Sequence, residues 1–334
     1  MRIVFFGTPQ FAVPSLERLS ATAGFEVVGV VTQPDKRRGR GGKVSPSPVK
    51  AVALSLGCPI WQPVRIKQDA ETLQALDATF ADAFVVVAYG QILSQAILDM
   101  PRLGCVNAHG SILPEYRGAA PIQWSLYHGE TETGVTTMKM DAGMDTGPML
   151  LKETIPIGLL DNAWTVAEKL AALSADLLVS TLLKLNEQVI RPIPQDDSRA
   201  TYAPLIKKAD YEIDWQRDAL ALHHQVQGFY PNCVTSYRQQ PLKISETLPL
   251  GVLPQTGSLP AIYPAIYNEL TGLAGPFPDV APGTVAAIFK NHGPVIATGQ
   301  GHLLLRQVKP AGKQAQSGWD FANGTHLAIG DRLG

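Results

Sequence analysis

Cysteine is scarce in this chain, and long apolar runs are missing. The three cysteines, Cys58, Cys105 and Cys233, lie far apart and form no Cys-x-x-Cys pair, which argues against a disulfide framework and a zinc ribbon. The apolar run that begins at Ile3 stops at Gly7, whereas a signal peptide needs ~7–15 apolar residues and a membrane-spanning helix ~20. We therefore expect a soluble, cytoplasmic protein that has no membrane partner.

The chain also lacks an excess of charge. It has 28 Lys and Arg against 29 Asp and Glu, a formal net charge of -1, which argues against a protein that coats nucleic acid through its overall charge. With 45% apolar and 17% charged residues, the composition is that of an ordered protein. At ~100–200 residues per domain, the length of 334 residues predicts two domains.

Glycine-rich nucleotide-binding motifs are absent as well. The turn after the first predicted strand, Gly7-Thr8-Pro9, has one glycine, whereas a dinucleotide site needs Gly-x-Gly-x-x-Gly for close approach to a pyrophosphate. No Gly-x-x-x-x-Gly-Lys-Ser/Thr loop occurs. These absences disfavour a nicotinamide-dependent enzyme and exclude a P-loop.

What the first 190 residues do contain is an alternation of strand-like and helix-like segments. The predicted strands are Ile3–Phe6, Glu26–Thr32, Phe84–Ala88, Cys105–Asn107 and Gly134–Met140. The predicted helices are Gln10–Leu19, Val49–Leu56, Ala70–Ala78, Gln91–Leu98, Ala119–His128 and Trp164–Leu185. Continuous apolar strands that alternate with helices predict an α/β domain with a mostly parallel sheet covered on both faces.

The pattern changes after residue 190. Residues 191–209 are rich in proline and have little periodicity, so we expect a linker between a first domain at 1–190 and a second at 210–334. One predicted helix at 218–226 and several short strands separated by Gly and Pro indicate a small β-barrel or sandwich. The stretch at about 245–281 is rich in Pro and Gly and nearly uncharged, which predicts an insertion.

The segment Asn107-Ala108-His109-Gly110-Ser111-Ile112-Leu113-Pro114 offers the clearest candidate chemistry. It begins at the carboxyl end of a predicted strand, where open α/β sheets bind their ligands. Residues two apart on a strand face the same side, so Asn107 and His109 can act on one ligand. An amide donates hydrogen bonds, and an imidazole donates or exchanges a proton. The alternative for His109 is a loop histidine with a structural hydrogen bond.

A second loop offers two carboxylates. Asp141 and Asp145 belong to Met140-Asp141-Ala142-Gly143-Met144-Asp145-Thr146-Gly147, and either of them could orient His109 as a carboxylate orients histidine in hydrolytic triads. A calcium loop would need glutamate at its twelfth position, which is Lys152 here. We therefore expect no metal; turn or cap residues are the alternative for each aspartate.

Positive charge is concentrated locally, above all at residues 36–43. Five of these eight side chains are cationic and the other three residues are glycine, a composition typical of flexible loops that bind phosphate backbones. Residues 280–319 hold four basic and no acidic side chains, and the predicted linker adds further cations. Together these surfaces predict a polyanionic partner that contacts both domains. A solvated surface loop is the alternative for residues 36–43 alone.

These motifs resemble those of the methionyl-tRNA formyltransferase family over nearly the whole chain. The most specific stretches are Phe6–Pro9, Thr32–Asp35, Ala88–Gly90, Asn107–Gln123 and Met140–Gly147. The resemblance implies a Rossmann-like formyltransferase domain, a linker and an OB-like β-barrel. It implies 10-formyltetrahydrofolate as the donor and the α-amino group of methionyl initiator tRNA as the acceptor.

The resemblance also implies roles for individual residues. Asn107, His109 and Asp145 correspond to the catalytic trio of the family, and the folate-binding loop corresponds to Ser111, Ile112, Leu113 and Pro114. Arg40 corresponds to the residue that meets the acceptor stem, and the candidate tRNA-binding residues are Arg37, Arg38, Arg40, Lys43 and Lys207. Because no interface helix is evident, we expect a monomer.

Three other functions stay open on the residues alone. A formyltransferase acting on a small amine, such as glycinamide ribonucleotide or an amino-sugar nucleotide, would keep the trio but would not need the basic loop and the barrel. A nicotinamide-dependent oxidoreductase is disfavoured by the single-glycine turn. A non-catalytic RNA-binding module would leave Asn107, His109 and Asp145 unexplained.

Overall fold

The computed structural model describes residues 1–38, 43–251 and 277–334 in two compact units. The first unit comprises Met1–Pro121, Thr133–Ile155 and Ala167–Ala203. The second unit comprises Ile122–Glu132, Pro156–Val166 and Pro204–Gly334. Each unit is assembled from three stretches of chain, and the predicted domain boundaries at residues 190 and 209 stay a prediction.

The first 203 residues contain eleven strands and six helices among the residues described. The strands are β1 (Arg2–Gly7), β2 (Glu26–Val31), β3 (Lys36–Arg38), β4 (Lys43–Ser45), β5 (Ile60–Trp61), β6 (Ala83–Val87), β7 (Cys105–His109), β8 (Arg117–Gly118), β9 (Glu132–Lys139), β10 (Met149–Pro156) and β11 (Tyr202–Ala203). The helices are α1 (Val13–Ala21), α2 (Pro48–Ser55), α3 (Ala70–Asp77), α4 (Gln95–Leu98), α5 (Pro121–Tyr127) and α6 (Ala163–Asn186).

The central sheet of the first unit is mostly parallel. Its strand order is β10-β9-β7-β6-β1-β2-β5; β1 pairs in parallel with β2 and β6, β6 pairs in parallel with β7, and β7 is antiparallel to β9. The apolar residues of β1 and β6 are buried on both faces of the sheet, as expected for strands covered by helices on both sides. The expected Rossmann-like arrangement is thus confirmed.

One helix is shorter than its apolar pattern predicts. The sequence predicts a helix over Gln91–Leu98, whereas α4 begins at Gln95. The Gln91 side chain accepts the Ile66 N–H at 2.9 Å and donates to the Pro63 carbonyl at 3.0 Å, and Gly90 has φ +86°. These contacts hold the residues before α4 in a loop beside the end of β6.

The described residues after β11 contain a second, antiparallel sheet. Its elements are α7 (Ala219–Gly228), β12 (Val234–Tyr237), β13 (Gln240–Leu250), β14 (Val285–Phe289), β15 (Gly293–Ala297), β16 (His302–Pro310), β17 (Gln316–Ser317) and α8 (Gly318–Thr325). The strand order is β12-β13-β16-β15-β14, with β17 paired to β16. The core of this unit includes Trp215, Phe229, Ile244, Leu303 and Phe321. The prediction of a separate C-terminal β domain is confirmed.

Strand β13 runs further than the sequence indicates. The sequence predicts an insertion from about residue 245, but the strand continues to Leu250 opposite β16. The register shifts on either side of Glu246, so a bulge interrupts the alternation that marks a strand in the sequence. Residues 252–276 of the predicted insertion lie outside the described residues.

Within the described residues, no helix has both the length and the apolar character that crossing a bilayer requires.

Candidate active site

Strand β7 carries the two candidate residues that lie closest in sequence. Asn107 and His109 are two positions apart on this strand, and both side chains are nearly buried, with 9% and 6% of their surface exposed. Two-residue spacing puts both side chains on one face of the sheet. Because β6 and β7 are parallel, His109 lies at the carboxyl end of the sheet, where ligands of open α/β folds bind.

The two ring nitrogens of His109 have different neighbours. Nε2 lies 2.9 Å from the carbonyl oxygen of Tyr116, and a carbonyl only accepts hydrogen bonds, so Nε2 carries its hydrogen. Nδ1 faces Asp145, with 3.6 Å between Nδ1 and Oδ2, longer than a hydrogen bond. Tyr116 therefore fixes the ring, and Nδ1 is the nitrogen that is free to meet a reacting group beside a carboxylate.

Of the two candidate carboxylates, Asp145 is the one beside His109. Its Oδ2 also accepts the backbone N–H of Gly118 at 2.9 Å, and its backbone is in the left-handed region, at φ +55°. Asp141 instead closes the loop on itself, because its Oδ1 accepts the Gly143 N–H and the Thr146 hydroxyl. Thus Asp141 shapes the loop, and Asp145 provides the charge at the site.

Close packing explains one glycine of this loop. A Cβ atom on Gly147 would lie 1.9 Å from the carbonyl oxygen of Lys139, closer than any two such atoms can approach. The Lys139 N–H also donates to the Pro148 carbonyl at 2.9 Å. Only glycine therefore lets the loop that carries Asp145 close against the end of β9.

Hydrogen bonds from the neighbouring strands hold the candidate folate-binding loop at residues 111–114. The Thr136 hydroxyl donates to the Ser111 carbonyl at 2.8 Å and accepts the Leu113 N–H at 3.0 Å. The Lys152 ammonium donates to the Leu113 carbonyl; burial, followed by the positive charge of Arg199, lowers the pKa of Lys152. Polar groups of the neighbouring strands β9 and β10 thus fix the backbone of this loop.

The four residues of that loop differ in exposure. Ser111, Leu113 and Pro114 are buried, and the Ser111 hydroxyl donates to the Glu115 carbonyl at 2.6 Å. Ile112 is half-buried. Among these four, Ile112 is therefore the side chain available to touch a ligand, and the other three set its position.

Several contacts at the site were not predicted from the sequence. Tyr116 and Gly118 act through their backbones, which leave no residue-type signal. Thr136 lies opposite His109 in the pairing of β7 with β9, but that pairing is known only once the sheet order is known. From the sequence, Lys152 is only a residue that stands where a calcium loop would need glutamate.

The described residues at the two ends of the basic segment belong to a pair of short strands. Strands β3 and β4 pair antiparallel, and Lys50 forms an ion pair with Asp35 at 2.6 Å next to β3. Hydrogen bonds from Lys50 and then Gln62 lower the pKa of Asp35. The structure gives the backbone of Arg37, Arg38 and Lys43, whereas Arg40 lies outside the described residues; Lys207 is exposed.

Candidate metal ligands do not cluster in the described ranges. No group of three or more His, Cys, Asp or Glu side chains there is arranged to hold a metal ion.

Two family profiles match the chain. The one described as formyl transferase matches residues 1–182, and the one described as formyl transferase, C-terminal domain, matches residues 205–326. A relative from Trichormus variabilis called methionyl-tRNA formyltransferase is 60% identical, over 100% of this chain and 99% of its own length. A relative of the same name from Trichodesmium erythraeum is 58% identical, over 99% and 98%.

Solved structures share the fold at low identity. The sugar 3N-formyl transferase WlaRD, crystallised with dTDP and 5-N-formyl-THF, aligns with a TM-score of 0.62 and 17% identity over 94% of this chain and 99% of its own. HypX from Aquifex aeolicus in complex with tetrahydrofolic acid aligns with a TM-score of 0.60 and 13% identity over 98% of this chain and 48% of its own. The chain belongs to the formyl transferase family, and its full-length relatives are methionyl-tRNA formyltransferases.

Proposed function

We propose that this chain transfers the formyl group of 10-formyltetrahydrofolate to the α-amino group of methionyl initiator tRNA. The observation that carries the reaction class is the pairing of the His109 ring with the Asp145 carboxylate at the end of β7. The identity of the acceptor is supported by the relatives that match the chain over its full length. The small-amine acceptors have no such support, since the sugar enzyme is similar at 17% identity only.

Asn107 and His109 are the proposed oxyanion donors. The folate donor supplies an electrophilic formyl carbon, and attack by the amine places negative charge on the formyl oxygen. The Asn107 amide and Nδ1–H of the protonated His109 ring donate hydrogen bonds to that oxygen, which stabilises charge that develops only in the transition state. The Tyr116 carbonyl keeps the ring in place by accepting Nε2–H.

Asp145 is the proposed proton acceptor. An amine must be neutral to attack, and it must lose a proton as the new bond forms, so a carboxylate beside it assists the reaction. The Gly118 N–H holds Oδ2 in place. The intermediate then collapses as the bond between the formyl carbon and the folate nitrogen breaks, and that nitrogen takes a proton from the protonated His109 ring as tetrahydrofolate leaves. The carboxylate, 3.6 Å from Nδ1, passes the proton it took from the amine to the ring, which returns the site to its starting state.

The residues of the 111–114 loop are the proposed folate contacts. Ile112, half-buried, provides apolar contact for the donor, while buried Ser111, Leu113 and Pro114 hold the loop. This proposal fits a donor that is bound beside β7, because the loop begins two residues after His109.

The basic segment at residues 36–43 and Lys207 supply the proposed tRNA contacts. The five candidates, Arg37, Arg38, Arg40, Lys43 and Lys207, are cationic, and phosphate contacts give binding that weakens as salt rises. Removing one contact should reduce the slope of log affinity against log salt by ~1.

One assay with a panel of acceptors tests the function. The full chain is incubated with 10-formyltetrahydrofolate and each acceptor in turn: methionyl initiator tRNA, methionyl elongator tRNA, glycinamide ribonucleotide and an amino-sugar nucleotide. We expect formylation of the initiator tRNA. Formylation of a small amine but of neither tRNA would overturn the proposed acceptor.

The tRNA contacts are tested by salt dependence. Arg40→Ala and Lys207→Ala should each lower the salt slope of tRNA binding by ~1. Lys184→Ala is the matched control, because Lys184 is an exposed cation in the last turn of α6. Slopes equal to that of the unchanged chain would remove the assigned roles.

A further inference from the structure

The segment that the sequence reads as a linker is attached to the active-site loops at three places. Ile193 exchanges two backbone hydrogen bonds of 2.8 Å with Met149. Gln195 contacts the loop that carries Asp145. Finally, β11 pairs in parallel with β8. The stretch from 193 to 203 is therefore part of the wall of the site.

Arg117 is the buried centre of this attachment. Only 2% of its side chain is exposed, and a buried guanidinium must be paired and hydrogen-bonded. Its Nε and Nη2 both donate to Oε1 of Gln195, at 3.0 and 2.8 Å, and Nη2 also donates to Oδ1 of Asp197 at 2.7 Å. The exposed carboxylate of Asp197 supplies the compensating charge.

The guanidinium decides which way the Gln195 amide points. A guanidinium can only donate, so the amide oxygen must face Arg117, and the amide nitrogen must face the other way. There, Nε2 donates to the carbonyl oxygens of Asp145 and Gly147, each at 2.7 Å. Both hydrogens of the amide are thus used on the loop that carries Asp145.

The Asp145 backbone needs such support. Its φ of +55° lies in the left-handed region, which a residue with a side chain enters only when the surroundings hold it there. The carbonyl oxygens of residues 145 and 147 accept from Gln195, and the carboxylate accepts from Gly118, the residue that follows Arg117. Strand β8 (Arg117–Gly118) thereby holds both groups of Asp145. The Gly118 N–H binds the carboxylate directly, and Arg117 acts on the backbone carbonyl through Gln195.

We propose that Gln195 is a positioning residue for the reaction, oriented by Arg117 and acting through Asp145. This inference rests on the proposed function, in which Asp145 accepts a proton. Gln195 needs no contact with either substrate for this role. Its loss moves the carboxylate relative to His109 and leaves both substrate-binding surfaces in place.

The test separates the two sides of the amide. Gln195→Glu keeps the acceptor for Arg117 but replaces the amide donor with an oxygen that faces two carbonyl oxygens. Gln195→Met removes both sides. We expect kcat to fall by ~10–100-fold in both variants, because a displacement of about 1 Å in a catalytic group can cost 100-fold. The KM values for tRNA and for the folate donor should stay within about threefold of those of the unchanged chain, because Gln195 contacts neither substrate in this proposal.

A second measurement uses the Asp145→Asn background. If Gln195 acts through Asp145, Gln195→Glu should lower the residual single-turnover rate of Asp145→Asn by less than about twofold, since groups that act as a unit are not additive. A merely structural role would lower the rate by the same factor in both backgrounds.

The controls keep each failure interpretable. Gln188→Glu makes the same chemical change at an exposed position just beyond α6 and should leave kcat unchanged. Melting temperatures of all variants identify any loss of folded protein. If the unchanged chain formylates Met-tRNA and Gln195→Glu matches its kcat, or is impaired equally in the Asp145→Asn background, this inference is wrong and the function stands. If the unchanged chain does not formylate Met-tRNA, the proposed function itself is wrong.

Discussion

Each unit of the molecule contains a buried histidine, and the two are held in different ways. In the second unit, His223 is fully buried; Nε2 lies 2.7 Å from the Leu159 carbonyl and Nδ1 2.8 Å from the Thr247 hydroxyl. In the first unit, His109 has a carbonyl at Nε2 and a carboxylate 3.6 Å from Nδ1. The two rings thus share one kind of partner and differ in the other.

The second partner decides what each ring can do. Leu159 requires a hydrogen on Nε2, so the Thr247 hydroxyl donates to Nδ1 and the neutral ring is fully satisfied. Burial lowers the pKa of His223 to about 3. A carboxylate, in contrast, can pair with a charged ring or take up a proton, which a donating hydroxyl cannot do. A buried histidine is therefore a candidate for catalysis when one ring nitrogen has a partner that tolerates a change of charge.

The largest expected difference between the two histidines comes from replacing each of them by glutamine. His109→Gln should lower kcat for formyl transfer by ~10²–10³-fold, the range found for removing one oxyanion donor. His223→Gln should leave kcat unchanged and lower the melting temperature, because it disturbs only packing and hydrogen bonds inside the second unit. Steady-state kinetics and thermal unfolding of both variants measure this. Equal kcat values for the two variants would show that the Asp145 carboxylate does not give His109 a catalytic role that His223 lacks.

We expect the next largest effect on kcat from a substitution that displaces the backbone around Asp145. Gly147→Ala would place a Cβ atom 1.9 Å from the Lys139 carbonyl, so the loop must move. We expect a loss of ~1–3 kcal/mol in the free energy of unfolding, as for other overpacked sites, and a decrease in kcat of ~10-fold or more as Asp145 is displaced. Urea unfolding and kinetics check the two effects separately. A variant with wild-type kcat would mean that the position of this loop does not matter for turnover.

The sequence predicts those parts of the site that depend on the regular spacing of residues along one strand. Asn107 and His109 follow from strand alternation at the end of an apolar run, and the structure puts both on β7. The residues alone do not decide between Asp141 and Asp145 as the carboxylate beside His109, whereas the family resemblance implies Asp145. The contact between Asp145 and His109 then agrees with that selection.

The parts that the sequence does not predict depend on contacts between distant segments. Gln195 lies in a proline-rich stretch without periodicity, so composition indicates a linker, although its amide bonds to residues 48 and 50 positions earlier. His223 lies within a predicted helix, but its partners come from residues 159 and 247. The sequence does not predict strand β10, whose residues after Leu150 alternate little between buried and exposed. Local patterns carry no information about such partners.

Acid should weaken the second unit through His223. Its pKa is about 3 in the folded chain against an ordinary value of 6.5, so between these values the unfolded chain binds one more proton than the folded chain. The free energy of unfolding should therefore fall with pH by about 1.4 kcal/mol per unit below 6.5 on account of this group.

The His223→Gln variant isolates that contribution. Urea unfolding of both proteins between about pH 7 and about pH 5 should give a shallower pH dependence for the variant, by up to one proton. Parallel curves would mean that His223 titrates normally in the folded chain and that its partners do not keep the ring neutral.

The smallest expected effect comes from a glycine of the second unit that has room around it. Gly324 lies in α8, and apart from its chain neighbours and the backbone of its own helix, no atom lies within 4 Å of the position that a Cβ would occupy. Alanine there should raise the free energy of unfolding by ~0.5–1 kcal/mol, because it reduces the freedom of the unfolded chain without a clash. Urea unfolding with unchanged kcat would contrast it with Gly147→Ala. If both alanine variants lost stability equally, the crowding at Gly147 would not explain why glycine occupies that loop. If Gly324→Ala is stabilising and Gly147→Ala is not, the difference between their free energies of unfolding reports the close packing of the loop that carries Asp145.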